Sequence, residues 1–224
     1  MANVFKIILC LAFVPAYAWS GMSEVRSACF EPMKQGKKFR CDLREEQKYE
    51  VDDINQNYTS GDFDAQRTGI SKRGTLIKEI KAIQSQFEAR GDSLSSCELG
   101  ALVKCVTAKF MTYDENKDPM RRLSLEQIYA GEKGLCREYS TVFYDLAQAV
   151  GLKALIIGGR NGSLELHAFN GLDINGVWYT VEPQSSAPLF RKITPETSVI
   201  DFHFDSTGKH VDDDTVLNPL EESK

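Results

Sequence analysis

The chain has 224 residues, with 27 Lys and Arg against 32 Asp and Glu and a formal net charge of -5. That acidic balance, without a basic stripe or an interleaved aromatic set, excludes nucleic acid as a partner. Length and a 42 % hydrophobic content suit one domain with a good core. No apolar run reaches the roughly 20 residues needed to cross a bilayer, so no membrane span is expected.

The first residues, "MANVFKIILCLAFVPAYAWS", have the three parts of a secretory signal: Lys6, the apolar run Ile7 to Val14, and the small-x-small site Ala16-Tyr17-Ala18. Cys10 lies inside the run after Leu9, without the small residue that a lipoprotein signal has there. Residues 1–18 are therefore expected to be removed near Ala18, giving a secreted or periplasmic protein.

Residues 19–70 are polar, with "QNYTSGDFD" reading as loop, and are expected to form an irregular N-terminal extension. An oxidising compartment permits disulfides, and Cys29, Cys41, Cys97 and Cys105 are the candidates. Cys97 and Cys105 are eight residues apart on one predicted helix, about 12 Å by helical rise. A disulfide joins Cα atoms roughly 4.4–6.8 Å apart. Cys29 and Cys41 are thus expected to staple the extension onto that helix, in either order. Cys136 is left as the odd thiol.

A domain is expected over 71–210. Leu76, Ile80, Ile83 and Phe87 recur at helical spacing from Thr75 to Ala89, and Gly91 ends the run. A second helix starts at "SSCELGALVKC" with a capping-box pattern at Ser95 and Glu98; Leu99, Leu102, Val103, Val106 and Phe110 form its stripe. A third follows Cys136, with Tyr139, Val142, Phe143, Leu146 and Val150 on one side and Gly151 as its stop. Cys136 falls on the edge of that stripe and faces the fold.

The pattern then turns to strands: "LKALIIGG", "SLELHAFNGLDI", "VWYTVEP" and "SVIDFHF". Asn175-Gly176 is a two-residue hairpin signal. That turn pairs Ile174 with Val177, Phe169 with Glu182 and His167 with Gln184. Alternation puts all four of the last-named residues on one face. Glu182 is then the diagonal neighbour of His167, and Gln184 is directly opposite it. Residues 211–224 read as an acidic flexible tail. Helices first and an antiparallel sheet afterwards make the fold class α+β.

A thiol, an imidazole and an orienting carboxylate or amide are the parts of nucleophilic acyl transfer. "GEKGLCREYSTVFYDLAQAVGLKALIIGG" followed by "LHAFNGLDINGVWYTVEPQ" resembles the core of the transglutaminase-like superfamily, whose pattern is a Gly-x-Cys helix, a His-Ala-Trp strand and a Trp-x-x-Asp-Pro strand. The resemblance covers roughly Ala101 to Gln184. It implies a papain-like fold, with the nucleophile helix packed on an antiparallel sheet. It implies Cys136 as nucleophile, His167 as base and Glu182 at the acid position, with Gln184 as the alternative orienting residue. The chain departs from the pattern at Glu182, where the family has Asp, and at Phe169, where it has Trp. Phe169 and Trp178 are expected as core or pocket wall.

The function expected is an exported thiol enzyme that acts on amide or peptide carbonyls through a thioester, as a protease or amidase. The alternatives are a protein-glutamine transglutaminase, or a non-catalytic module that binds a peptide or cell-envelope component in the same cleft. No cofactor and no metal are expected, since "DDIN" and "VDDDTV" lack the alternating ligands and closing Glu of a calcium loop.

Overall fold

The computed structural model describes residues 20–44, 71–116, 123–160, 166–187, 189–192, 202–204 and 210–211. The expected signal segment 1–18, the expected loop at 56–64 and the tail beyond Val211 lie outside the described residues.

Helix α1 (Ser20–Val25), a π-helical turn (Arg26–Phe30) and α2 (Glu31–Lys34) follow one another without a break. This corrects the expectation of an irregular extension from residue 19. Val25, Cys29 and Met33 recur every four residues and are fully buried with Phe30, a stripe short enough to be lost among the surrounding charges. So short a helix draws its stability from docking rather than from propensity. Strand β1 (Asp42–Arg44) comes next, so the N-terminal segment supplies both a helix and an edge strand.

Helix α3 (Ser71–Glu88) buries Leu76, Ile80, Ile83 and Phe87, the four stripe positions of its sequence. Helix α4 (Ser96–Phe110) opens on a reciprocal cap. Ser95 Oγ accepts the Glu98 N–H at 3.2 Å, and a Glu98 carboxylate oxygen accepts the Ser95 N–H at 2.8 Å. Two disulfides, Cys29–Cys105 and Cys41–Cys97, tie the N-terminal segment to this helix, with Cα separations of 5.9 and 5.7 Å.

Strand β2 (Thr112–Tyr113), helix α5 (Leu125–Gly131) and strand β3 (Lys133–Gly134) lead into helix α6 (Cys136–Ala149). Helix α5 was not expected; its sequence carries a second capping box, Ser124 with Gln127, but only 7 residues of periodicity. A buried ionic cluster ties three helices together. The Arg73 guanidinium from α3 donates to both carboxylate oxygens of Asp145 in α6, at 2.6 and 2.9 Å, and Tyr129 Oη of α5 donates to the same carboxylate at 2.8 Å.

The remaining strands are β4 (Ala154–Arg160), β5 (Leu166–Ile174), β6 (Val177–Val181), β7 (Leu189–Lys192), β8 (Phe202–Phe204) and β9 (His210–Val211). Among the described residues they form with β1 a sheet ordered β1-β7-β6-β5-β4-β8-β9, antiparallel except for the β1–β7 pair. The β5–β6 hairpin turns at Asn175 and Gly176, both with positive φ (57° and 82°), and Ile174 pairs with Val177. The Asn-Gly pair suits that turn because only glycine takes positive φ without penalty and asparagine tolerates it well. Alternation along β5 sends Ala168, Asn170, Leu172 and Ile174 toward the helices, and His167, Phe169 and Gly171 to the other face. The fold class is α+β, with helix α6 packed on an antiparallel-dominated sheet. No helix among the described residues is long and apolar enough to cross a membrane.

The Cys29–Cys105 bond closes a loop of 76 residues, for which chain entropy gives roughly 4 kcal/mol of stabilisation. Replacing both cysteines by serine is expected to lower the urea unfolding free energy by about that amount. A loss under about 1 kcal/mol would mean that helical packing and the Cys41–Cys97 bond suffice to hold the segment.

Candidate active site

Cys136 is the first residue of α6, and the loop before it is unusually close to the helix. A Cβ on Gly134 would collide with Glu138 Cβ, so only glycine fits this approach. Glu138 is 1 % exposed. Its carboxylate accepts the Leu135 N–H at 2.9 Å and pairs with the Arg137 guanidinium at 3.0 and 2.9 Å. Leu135 offers no side-chain cap, and the Arg137 N–H of the first turn hydrogen-bonds to the sulfur. Tyr139 Oη donates to the Met111 carbonyl at 2.9 Å, pinning α6 to the end of α4.

Across from the helix, His167 lies near the start of β5. Its Nε2–H donates to a Glu182 carboxylate oxygen at 2.7 Å, and its ring hydrogen-bonds to Cys136, which leaves Nδ1 for the sulfur. Phe169 stacks along the same face, with centroids 6.0 Å apart and planes 21° apart. The His167 side chain is 11 % exposed and that of Glu182 34 %. The extra methylene of Glu over Asp therefore does not prevent contact with the imidazole.

Burial alone would push the Cys136 thiol up. Its hydrogen bond from His167, the Ala168 N–H, the charge on His167 and the Arg137 N–H outweigh burial and hold the thiol below its ordinary range. Burial alone would likewise lower His167. Its hydrogen bonds to Cys136 and Glu182, and the charges on both, push the imidazole up to about 10 instead. Both shifts run in the direction that favours thiolate beside imidazolium.

Asn170 bridges β5 to α6 near the two partners. It is fully buried, and its side-chain amide donates to the Ser140 carbonyl of α6 at 3.0 Å and to the Leu155 carbonyl of β4 at 2.9 Å. It stands three residues after His167 and reaches the helix four residues after Cys136. Its signal in the sequence is a polar residue at a strand position that alternation assigns to the buried face.

Two expected site residues lie elsewhere. The β5–β6 ladder ends at the pair Asn170–Val181, so Gln184 falls in the turn after the strand and is not opposite His167. Pro183 breaks the ladder there, since proline has no N–H to donate. Trp178 pairs with Asp173, six residues or about 20 Å along β5 from His167. It backs Gly171 and carries the Lys153 ammonium 5.4 Å from its ring; it is core at the far end of the hairpin, not a wall of the cleft. Among the described residues no group of His, Cys, Asp or Glu could hold a metal ion.

Residues 84–183 match the sequence profile of the transglutaminase-like superfamily, whose members are usually cysteine enzymes. No curated protein matches the chain. Solved structures similar to it include a proposed cysteine protease from Cytophaga hutchinsonii, at 16 % identity and TM-score 0.41 over 64 % of this chain and 50 % of that one. A TGase is similar at 19 % identity and TM-score 0.37, over 56 % of this chain and 36 % of that one. The chain thus spans half the length of one neighbour and about a third of the other.

A thiolate–imidazolium pair is expected above the lowered thiol value, and it is lost as pH falls through that value or rises past about 10. Iodoacetamide is expected to label Cys136 readily at pH 6, followed by intact mass. In His167→Ala the thiol loses the bond and charge that lower it, so the labelling curve should move up toward the ordinary thiol range near 8.5. Identical curves in both proteins would refute the pair.

Proposed function

From the transglutaminase-like core carried by residues 84–183, we propose that the protein is an exported cysteine enzyme that hydrolyses amide or peptide bonds through a thioester. The observation that carries this reading is the linear arrangement of sulfur, imidazole and carboxylate: Cys136 bonded to His167, and His167 bonded to Glu182 at 2.7 Å. Cys136 is the nucleophile, His167 the acid and base, and Glu182 the orienting carboxylate.

The thiolate attacks the carbonyl carbon, forming a C–S bond and an oxyanion. The Cys136 backbone N–H, at the positive end of α6, is the oxyanion donor proposed here. The imidazolium gives its proton to the departing nitrogen, the C–N bond breaks, and the thioester remains. Neutral His167 then takes a proton from water as the water oxygen attacks the thioester. Collapse of that second oxyanion breaks the C–S bond and returns thiolate and imidazolium. Glu182 keeps Nε2 protonated, so that Nδ1 is the nitrogen that exchanges the proton with sulfur and substrate.

An amine in place of water would make the same thioester a transamidation intermediate, with the protein side chain of glutamine as substrate. Two disulfides point to an extracellular or otherwise oxidising compartment. Export through removal of residues 1–18 is the route proposed for reaching it.

The expected outcome with a library of internally quenched peptides is cleavage, abolished in Cys136→Ala and reduced roughly 10²–10⁴-fold in kcat by His167→Ala. Denatured wild type quenched during turnover should carry an acyl adduct on Cys136 by mass. Adduct transfer to a primary amine without hydrolysis would assign transamidation. Absence of adduct, turnover and enhanced labelling together would leave a binding cleft and overturn the enzyme reading.

A further inference from the structure

Helix α6 meets strand β5 along two rows of residues with matching spacing. Ala168 and Asn170 are successive positions on the helix-facing side of β5, and both are buried. Cys136 and Ser140 are one turn apart on α6. Two residues of strand rise about 6.6 Å and four residues of helix about 6 Å, so the two pairs can meet side by side. They do so in this fold. The Ala168 N–H hydrogen-bonds to the Cys136 sulfur, and the Asn170 side-chain amide donates to the Ser140 carbonyl at 3.0 Å. The same amide nitrogen also donates to the Leu155 carbonyl of β4, at 2.9 Å. One planar group thus ties α6 to two neighbouring strands, one helical turn from the sulfur.

Folding alone does not call for an amide at this position. The other helix-facing residues of β5, Ala168, Leu172 and Ile174, are apolar and buried. Asn170 Oδ1 is buried with no hydrogen-bond partner among the described residues, a cost that an aliphatic side chain would not carry. What the amide adds is direction. Apolar side chains keep most of their contact when a helix slides by a few tenths of an ångström, whereas a hydrogen bond weakens with both distance and angle. We propose that Asn170 is a positioning residue for Cys136 and His167: by holding the Ser140 carbonyl it fixes the slide of α6 along β5 and keeps the sulfur within reach of the imidazole. His167 stands three residues before Asn170 on the same strand, so the imidazole and the clamp share one rigid support. This rests on the reading of Cys136 and His167 as a working pair.

The test reads the pH dependence of iodoacetamide labelling of Cys136 in the full chain, with the thermal midpoint as the check that each variant is folded. Asn170→Leu keeps the side-chain volume and removes both donated bonds together with the unpartnered oxygen. Its labelling curve should move up by about one pH unit, which makes labelling about tenfold slower below the midpoint. Should that variant not fold, Asn170→Ser, too short to reach both carbonyls, takes its place with the same expectation. Replacing Cys29 and Cys105 by serine weakens the fold away from this contact and should leave the curve where it is. In a His167→Ala background, Asn170→Leu should add little further shift. An unshifted curve in the Asn170 variant would reduce the residue to packing and overturn the proposal. An equal shift in the disulfide variant would mean that any loosening of the fold has this effect, which overturns it too. So would equal shifts with and without His167, since the amide would then act on the thiol by another route. If wild type itself labels like an ordinary thiol and His167→Ala leaves it unchanged, the reading of the pair fails and takes this proposal with it.

Discussion

The arrangement of this protein depends on holding the first turn of one helix within hydrogen-bonding distance of a strand that lies about thirty residues later. The contact between Cys136 and His167 brings two ionisable groups out of water, and that is costly unless each is satisfied on several sides. The sulfur has the imidazole and two backbone amides; the imidazole has the sulfur and a carboxylate. Neither set survives a shift of the helix by an ångström. The nearby scaffolding is accordingly polar and buried: Asn170 bridges helix and sheet, and Asp145 gathers Arg73 and Tyr129 against the other side of α6. Buried amides and carboxylates fix position where apolar packing alone would let a helix slide.

Much of this was legible in the sequence because it was local. The Asn175-Gly176 turn fixes the hairpin register, and the register puts Glu182 near His167; a two-residue loop leaves little freedom. The stripes of α3, α4 and α6 are long enough for periodicity to show. What was not legible depends on tertiary contact. The helical run over Ser20–Lys34 is interrupted by a π turn and carries only three stripe residues four apart, Val25, Cys29 and Met33, and it is held by docking and by Cys29. Gln184 was placed by continuing a ladder that Pro183 ends. Trp178 belongs by its type to a cleft wall, but by its register to the far end of the hairpin. Lys104 is buried on α4, and no pattern of spacing says that a lysine points inward.

The face of the sheet that carries His167 differs from the one that meets the helices. Leu172, Ile174 and Val181 join the main core with Phe190 and the stripes of α4 and α6. His167, Phe169 and Trp178 lie on the opposite side by alternation. The sulfur meets the imidazole at the boundary between the two sides, where α6 begins and β5 has barely started. A residue near the start of a strand can still be reached from either face, and this lets a helix on one side address a histidine belonging to the other.

The two disulfides are nested: Cys29–Cys105 encloses Cys41–Cys97. Only the inner bond, Cys41–Cys97, joins cysteines that are consecutive in the chain. A chain oxidised in the order in which its thiols emerge would first join Cys29 to Cys41, and then Cys97 to Cys105. Helix α4 forbids the second of these as soon as it forms, by holding its two cysteines about 12 Å apart. The first is not forbidden by any local structure. Correct pairing therefore requires either that α1 and α2 dock on α4 before oxidation, or that a wrong bond be reshuffled by a thiolate. Cys136 carries a lowered thiol, and its placement between helix and sheet in the folded chain keeps it from becoming that thiolate.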